Sequence, residues 1–271
     1  MKDVIPAGAV HPTRKIIGYQ LRDIVRSRWL VAYALFFLCI SDALMRFGGA
    51  DAKALLGVAN IVLLVVPLAS LVFGAMYVYN AREFVELLLV QPVSRRELFG
   101  GLYFGLMVPM AGAFALGVGV PVAFHATAEA RLSGAVATVL GTGVALTAVF
   151  TAIALLIAIR VEDKARGLGA AISLWLGLAV LYDGIVLLLT MSLADYPLER
   201  PLLGLMLANP VDLARVAMLL CFDISALMGY TGAVFKSFFG SAGVAVAAVA
   251  LMVWVIAPAW SGARAFQRKD F

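Results

Sequence analysis

The chain has 271 residues, 63% of them hydrophobic and only 14% charged, with a mean hydropathy of +1.01. Soluble domains average about 45–50% apolar and about 25% charged residues, so a water-soluble enzyme or binding module is excluded. The net charge of +5 reflects where Lys and Arg fall between apolar runs, and it calls for no nucleic-acid partner.

The first 28 residues are polar and basic, unlike a cleavable signal. Within them, residues 12–28 pattern as an amphipathic entry helix lying in the membrane interface. Ile16, Ile17, Leu21, Ile24 and Val25 form its apolar stripe; Arg14, Lys15, Arg22, Arg26 and Arg28 fill the rest. Trp29 follows at the depth of an interfacial aromatic.

Residues 29–271 divide into six apolar runs, at about 29–46, 55–79, 98–124, 133–159, 167–191 and 241–262. Each approaches or exceeds the roughly 20 residues that cross a bilayer. Backbone groups in lipid must bond within their own segment, so these runs are helices; transmembrane strands would be short and alternating. The expected fold is an all-α membrane protein with six transmembrane helices. The third run carries Pro109 and Pro121, which predict kinks, and Gly101 and Gly105, whose spacing suits close helix packing.

Basic residues set the orientation. The leading arm, the second loop (Arg82, Arg95, Arg96), the fourth loop (Arg160, Lys164, Arg166) and the tail (Arg264, Arg268, Lys269) hold most of the 21 Lys and Arg. Only Arg46, Lys53, Arg131, Arg200, Arg215 and Lys236 remain for the other side. Both termini are therefore expected in the cytoplasm, with the protein in a bacterial or archaeal cytoplasmic membrane.

The insert at 80–97 is too polar to enter lipid and too short to be a domain. Gln91-Pro92 breaks any continuous helix, and Ser94 followed by Glu97 is a capping-box pattern that restarts one. The predicted form is helix–break–helix, with Glu83 and Glu86 on one face. Arg82, Glu83, Glu86, Gln91, Pro92, Arg95, Arg96 and Glu97 are the candidate docking residues.

The external segment 192–240 is long yet apolar. Asn209-Pro210 is a turn signal, and the stretches 211–222 and 224–235 are each too short to span, as befits interfacial or re-entrant helices. Asp42 and Asp183 fall within spans, where an acid marks either a transport pathway or a packing partner.

Catalytic motifs are missing. Lys236-Ser237 is preceded by Phe235 where a phosphate-binding loop needs glycine, and neither HExxH nor G-x-S-x-G occurs. His11 and His125 lie at opposite ends of the topology, so they cannot share a metal. Cys39 and Cys221 make no disulfide framework. Met218 and Cys221 are soft ligands suited to Cu(I), but one such pair is not a site. The chain is expected to be non-catalytic, with neither metal nor cofactor of its own.

This layout resembles the permease subunits of ABC-2-type ABC transporters. Gln-Pro-Val-Ser-Arg-Arg-Glu-Leu at 91–98 is similar to the element closing that family's coupling helix. Arg-Glu-Phe at 82–84 with Glu-Leu-Leu-Leu at 86–89 resembles the permeases that serve nitrous-oxide-reductase maturation. The common family form carries Gly-Thr before the equivalent of Glu86; its absence here separates the chain from the drug- and polysaccharide-exporter branches. Arg166-Gly-Leu-Gly, Trp175 and Tyr182-Asp-Gly resemble that subgroup's fifth span, and Asn209, Pro210, Asp212 and Arg215 its external segment.

The resemblance implies two copies of the chain paired with a cytoplasmic ABC ATPase dimer, which holds the ATP and Mg and docks on the insert, with Glu162, Asp163, Lys164 and Arg166 in the fourth loop as a second contact. It further implies a periplasmic copper-handling partner, contacted near Asn209, Pro210, Asp212 and Arg215. The moved species would be a sulfur compound, copper, or nothing at all. The competing readings are an ion-gradient-driven transporter using Asp42 and Asp183, and a membrane scaffold that transports nothing.

Overall fold

The computed structural model describes residues 27–48, 51–89, 94–125, 134–192, 199–222 and 242–268. Among them there are helices and no strands. In chain order they are α1 (Arg28–Phe47), α2 (Asp51–Asn80), α3 (Arg82–Leu89), α4 (Arg95–His125), α5 (Ala135–Arg160), α6 (Lys164–Leu176), a π-helical turn π1 (Gly177–Leu181), α7 (Tyr182–Ser192), α8 (Glu199–Ala208), α9 (Pro210–Phe222) and α10 (Gly243–Arg268).

Six helical stretches are long and apolar enough to cross a membrane: α1, residues 53–80 of α2, α4, α5, the continuous run α6–π1–α7, and α10. They coincide with the six expected runs. Most of the entry helix, Gln91, Pro92 and the stretch 224–235 lie outside the described residues.

The bundle is built around α5. Its membrane window is 78% buried, against 17% for α1, 22% for α10 and none for the fifth span. A helix that is apolar on every face is stable only when surrounded, and α5 packs against α2, α4 and α10. With no hydrophobic drive between helices in lipid, small residues that permit close approach do the work. Gly143 of α5 leaves the space into which the Phe114 ring of α4 projects. Gly117 of α4 admits α1, since a Cβ there would lie 2.7 Å from Phe37 Cβ and 2.8 Å from the Ala34 carbonyl. Phe37 and Phe114 then meet edge to face, with centroids 5.3 Å apart, a preferred aromatic geometry. Gly101 and Gly105 are buried in α4 as their spacing suggested, and the helix assignment runs through Pro109 and Pro121.

Alternating helix directions give the bundle two ends. One end gathers the start of α1, the end of α2, α3, the start of α4, the 161–163 loop and the end of α10; we call it the insert end. The far end carries Asp42, His125, α7 and the pair α8 and α9. Residues 201–208 and 210–222 are bent by 106° at Asn209. Helix α9 matches the expected helical stretch, whereas α8 was not foreseen. Both pack inward: Met206, Leu213, Val216 and Ala217 form a small core with Ala247 and Leu251 of α10.

Candidate functional site: a joined surface at the insert end

Helix α3 is seated by Val85, with Leu88 and Leu89 packed partly buried beside it, and is open on the opposite face. Val85 is 3% exposed, while Phe84 is 48% and Leu87 68% exposed, and Glu83 and Glu86 flank them in solvent. The break expected at Gln91-Pro92 lies outside the described residues, between the end of α3 and the start of α4. On its far side the Ser94 hydroxyl accepts the Glu97 amide at 3.3 Å, which is the half of the capping box that satisfies a first-turn N–H.

The candidate second contact, in the 161–166 stretch, is fastened to this insert. Arg82 donates from Nη1 to the Glu162 carbonyl at 3.1 Å, and its guanidinium lies 5.9 Å from the centroid of the Tyr79 ring. Tyr79 donates its hydroxyl to the Val161 carbonyl at 2.9 Å, and Lys164 Nζ donates to Asn80 Oδ1 at 3.0 Å. Gly167 permits this approach, because a Cβ there would collide with the Tyr79 hydroxyl. Asp163 caps α6, accepting the Arg166 amide at 2.7 Å, and so occupies one of its oxygens locally.

The end of α10 joins the same unit. Arg95 donates from Nη1 to the Gln267 carbonyl at 3.0 Å, and Phe99 and Phe266 pack with centroids 6.1 Å apart. Of the sequence candidates, Arg82, Arg95 and Lys164 are therefore used in holding elements together, while Glu83, Glu86, Arg96, Glu162, Asp163 and Arg166 are exposed on the surface. Phe84 and Leu87 were missed as surface groups; their place next to two acids on a short amphipathic helix was the available signal.

At the far end, both intramembrane acids are paired. Asp42 accepts from Arg46 Nε at 2.8 Å and lies 2.8 Å from His125 Nε2. Asp183 accepts from Arg215 Nη1 at 2.7 Å, and the same nitrogen reaches Asp212 at 3.0 Å. Asn209 caps α9, accepting the Val211 amide at 3.0 Å, with Pro210 in the first helical position. No group of three or more metal-ligating His, Cys, Asp or Glu occurs among the described residues. Met218 is buried in the core and Cys221 accepts from Thr138 at 3.1 Å.

No family model matches the chain. It is 30% identical to a Pseudomonas aeruginosa protein named "Probable ABC transporter permease protein NosY", over 78% of this chain and 82% of that one. The chain belongs to the NosY family of ABC transporter permeases. A protein of Stutzerimonas stutzeri bearing the same name is 26% identical over 90% of this chain and 91% of its own length. The permease is thus a multi-pass membrane subunit of an ABC transporter.

Proposed function

We propose that the permease works as a pair of copies, driven by a cytoplasmic ABC ATPase dimer that docks on α3 and the 161–166 loop. The insert end faces the cytoplasm, following the concentration of basic residues there. ATP and Mg bind on the partner, and this chain contributes no catalytic group. The far end acts on a periplasmic copper-handling protein during maturation of the copper centre of nitrous oxide reductase, as the NosY name suggests.

One observation carries this reading: α3 offers Phe84 and Leu87 to solvent beside Glu83 and Glu86, while Arg82 and Tyr79 bind its base to the 161–163 loop. An exposed apolar pair rimmed by charge is the usual anatomy of a protein contact, and its firm base lets a push on α3 reach two spans. The pairing of Asp42 and Asp183 with arginines weighs against the ion-gradient reading, in which those acids would have to change their charge freely.

Co-purification tests the docking. Phe84→Ser with Leu87→Asp should abolish recovery of the ATPase with the detergent-extracted permease, while the permease itself stays monodisperse. Undiminished recovery of the ATPase would overturn the assignment of α3.

A further inference from the structure

The fifth span is held differently along its two halves. Its inner half is packed: Gly167 and Ala171 are buried, and the Trp175 indole donates to the Leu64 carbonyl of α2 at 3.0 Å. From residue 172 to residue 192 no residue is buried. At π1 the widened turn directs the Tyr182 amide to the Gly177 carbonyl.

Beyond Leu178, which packs against the main core, what fixes this outer half is polar. Asp183 accepts from Arg215 at 2.7 Å, Tyr182 donates its hydroxyl to the Leu205 carbonyl at 2.6 Å, and Asn209 donates from Nδ2 to the Leu178 carbonyl at 2.9 Å. The α9 side of this arrangement is doubly served. Arg215 also binds Asp212 at 3.0 Å and Asn209 also donates to Asp212 at 3.1 Å. If the fifth span withdrew, Arg215 and Asn209 would each retain a partner on their own helix. Leaving a partly buried guanidinium unpaired would be costly; for Arg215, whose side chain is 35% exposed, that penalty is avoided in both positions. The α9 side is thus satisfied in two arrangements, while Asp183, whose side chain is already 44% exposed, would exchange Arg215 for water; that asymmetry is what lets the contact serve as a two-state element.

We propose that Tyr182, Asp183, Asn209 and Arg215 form a releasable latch between the outer half of the fifth span and the α8–α9 segment. This rests on the ATPase docking at the insert end, because the movement that opens the latch enters through Arg82, Tyr79 and the loop feeding α6. In the closed form the fifth span covers α8 near Leu205. In the open form it swings away about π1, and the face presented by α8 and α9 changes. The four side chains are positioning residues, each acting through the placement of a helix.

The test uses the permease with its ATPase in lipid nanodiscs, carrying Cys39→Ser, Cys221→Ser and the reporter Leu205→Cys. A small charged methanethiosulfonate reports access to position 205. Trapping the ATPase with nucleotide and vanadate should raise the labelling rate at least about fivefold, the lower end of typical coupling between sites. Asp183→Asn should label fast with or without nucleotide, and Asp183→Glu should restore the nucleotide dependence. Should Asp183→Asn fail to assemble, Tyr182→Phe, which removes one hydroxyl, is expected to raise the nucleotide-free rate in the same direction.

If labelling ignores both nucleotide and these substitutions while the ATPase remains bound and coupled, the latch is wrong. If the ATPase neither co-purifies nor responds to the permease, the docking reading fails instead.

Discussion

The Arg82 guanidinium and the Glu162 carbonyl meet at 3.1 Å although they stand 80 positions apart in the chain. This contact makes two separate interhelical loops one mechanical unit. Because the acceptor is backbone, the two positions differ in consequence. Arg82→Ala should lower permease-dependent ATP hydrolysis, whereas Glu162→Ala should leave the joint closed and the coupling less affected. Stability should fall by about 1 kcal/mol or less in Arg82→Ala, as expected for one hydrogen bond near solvent. Steady-state hydrolysis and thermal unfolding in detergent, measured side by side, check both.

Gly167 sits where any Cβ would strike Tyr79. Gly167→Ala should therefore displace the Tyr79 ring, break its bond to Val161 and cost about 1–3 kcal/mol, the range for overpacking. Tyr79→Ala made together with it should cost less than the sum of the two single changes, since the second removes the obstruction. Additive losses in unfolding experiments would refute the steric account.

The glycines of α4 divide by environment. Gly117 faces Phe37 and Ala34, whereas Gly112 and Gly119 have nothing within 4 Å of an added Cβ. Gly117→Leu should pry α1 from α4 and destabilise by about 1–3 kcal/mol or more. Gly112→Ala and Gly119→Ala should be neutral, or stabilising by up to about 1 kcal/mol through helix propensity. Melting temperatures of the three variants in one detergent decide the matter.

Asp42 has Arg46 on one oxygen and His125 on the other, which fits a residue that fastens α1 to α4. Asp42→Asn should leave coupled hydrolysis and reductase maturation close to normal with a small drop in melting temperature. Loss of maturation with an unchanged melting temperature would return Asp42 to a transport pathway.

The six spans were legible because lipid imposes a crude rule: about 20 apolar residues and no unpaired backbone. Two local signals also carried through, since both act within three residues. Ser94 caps the helix containing Glu97, and Asn209-Pro210 starts α9. Helix α8 was obscured by Pro201, a residue that breaks helix interiors but is tolerated in the first turn. The π turn at Gly177–Leu181 has no signature in Gly-Leu-Ala-Val-Leu. Asp183 and Arg215 were each conspicuous, yet their pairing was not, because 32 positions separate them and no local period relates them. Arg95 stood out as a docking group for its charge, and only the fold reveals its bond to Gln267.

Among the described residues, many ties between distant elements end on main-chain oxygen: Val161, Glu162, Gln267, Leu178 and Leu205 all accept through their carbonyls. Such a tie constrains the donor alone, so the residue opposite is free to drift as lineages diverge. Searches for compensating pairs of substitutions will pass over these joints, however many homologues are compared. Scanning the donors one at a time is the way to find them.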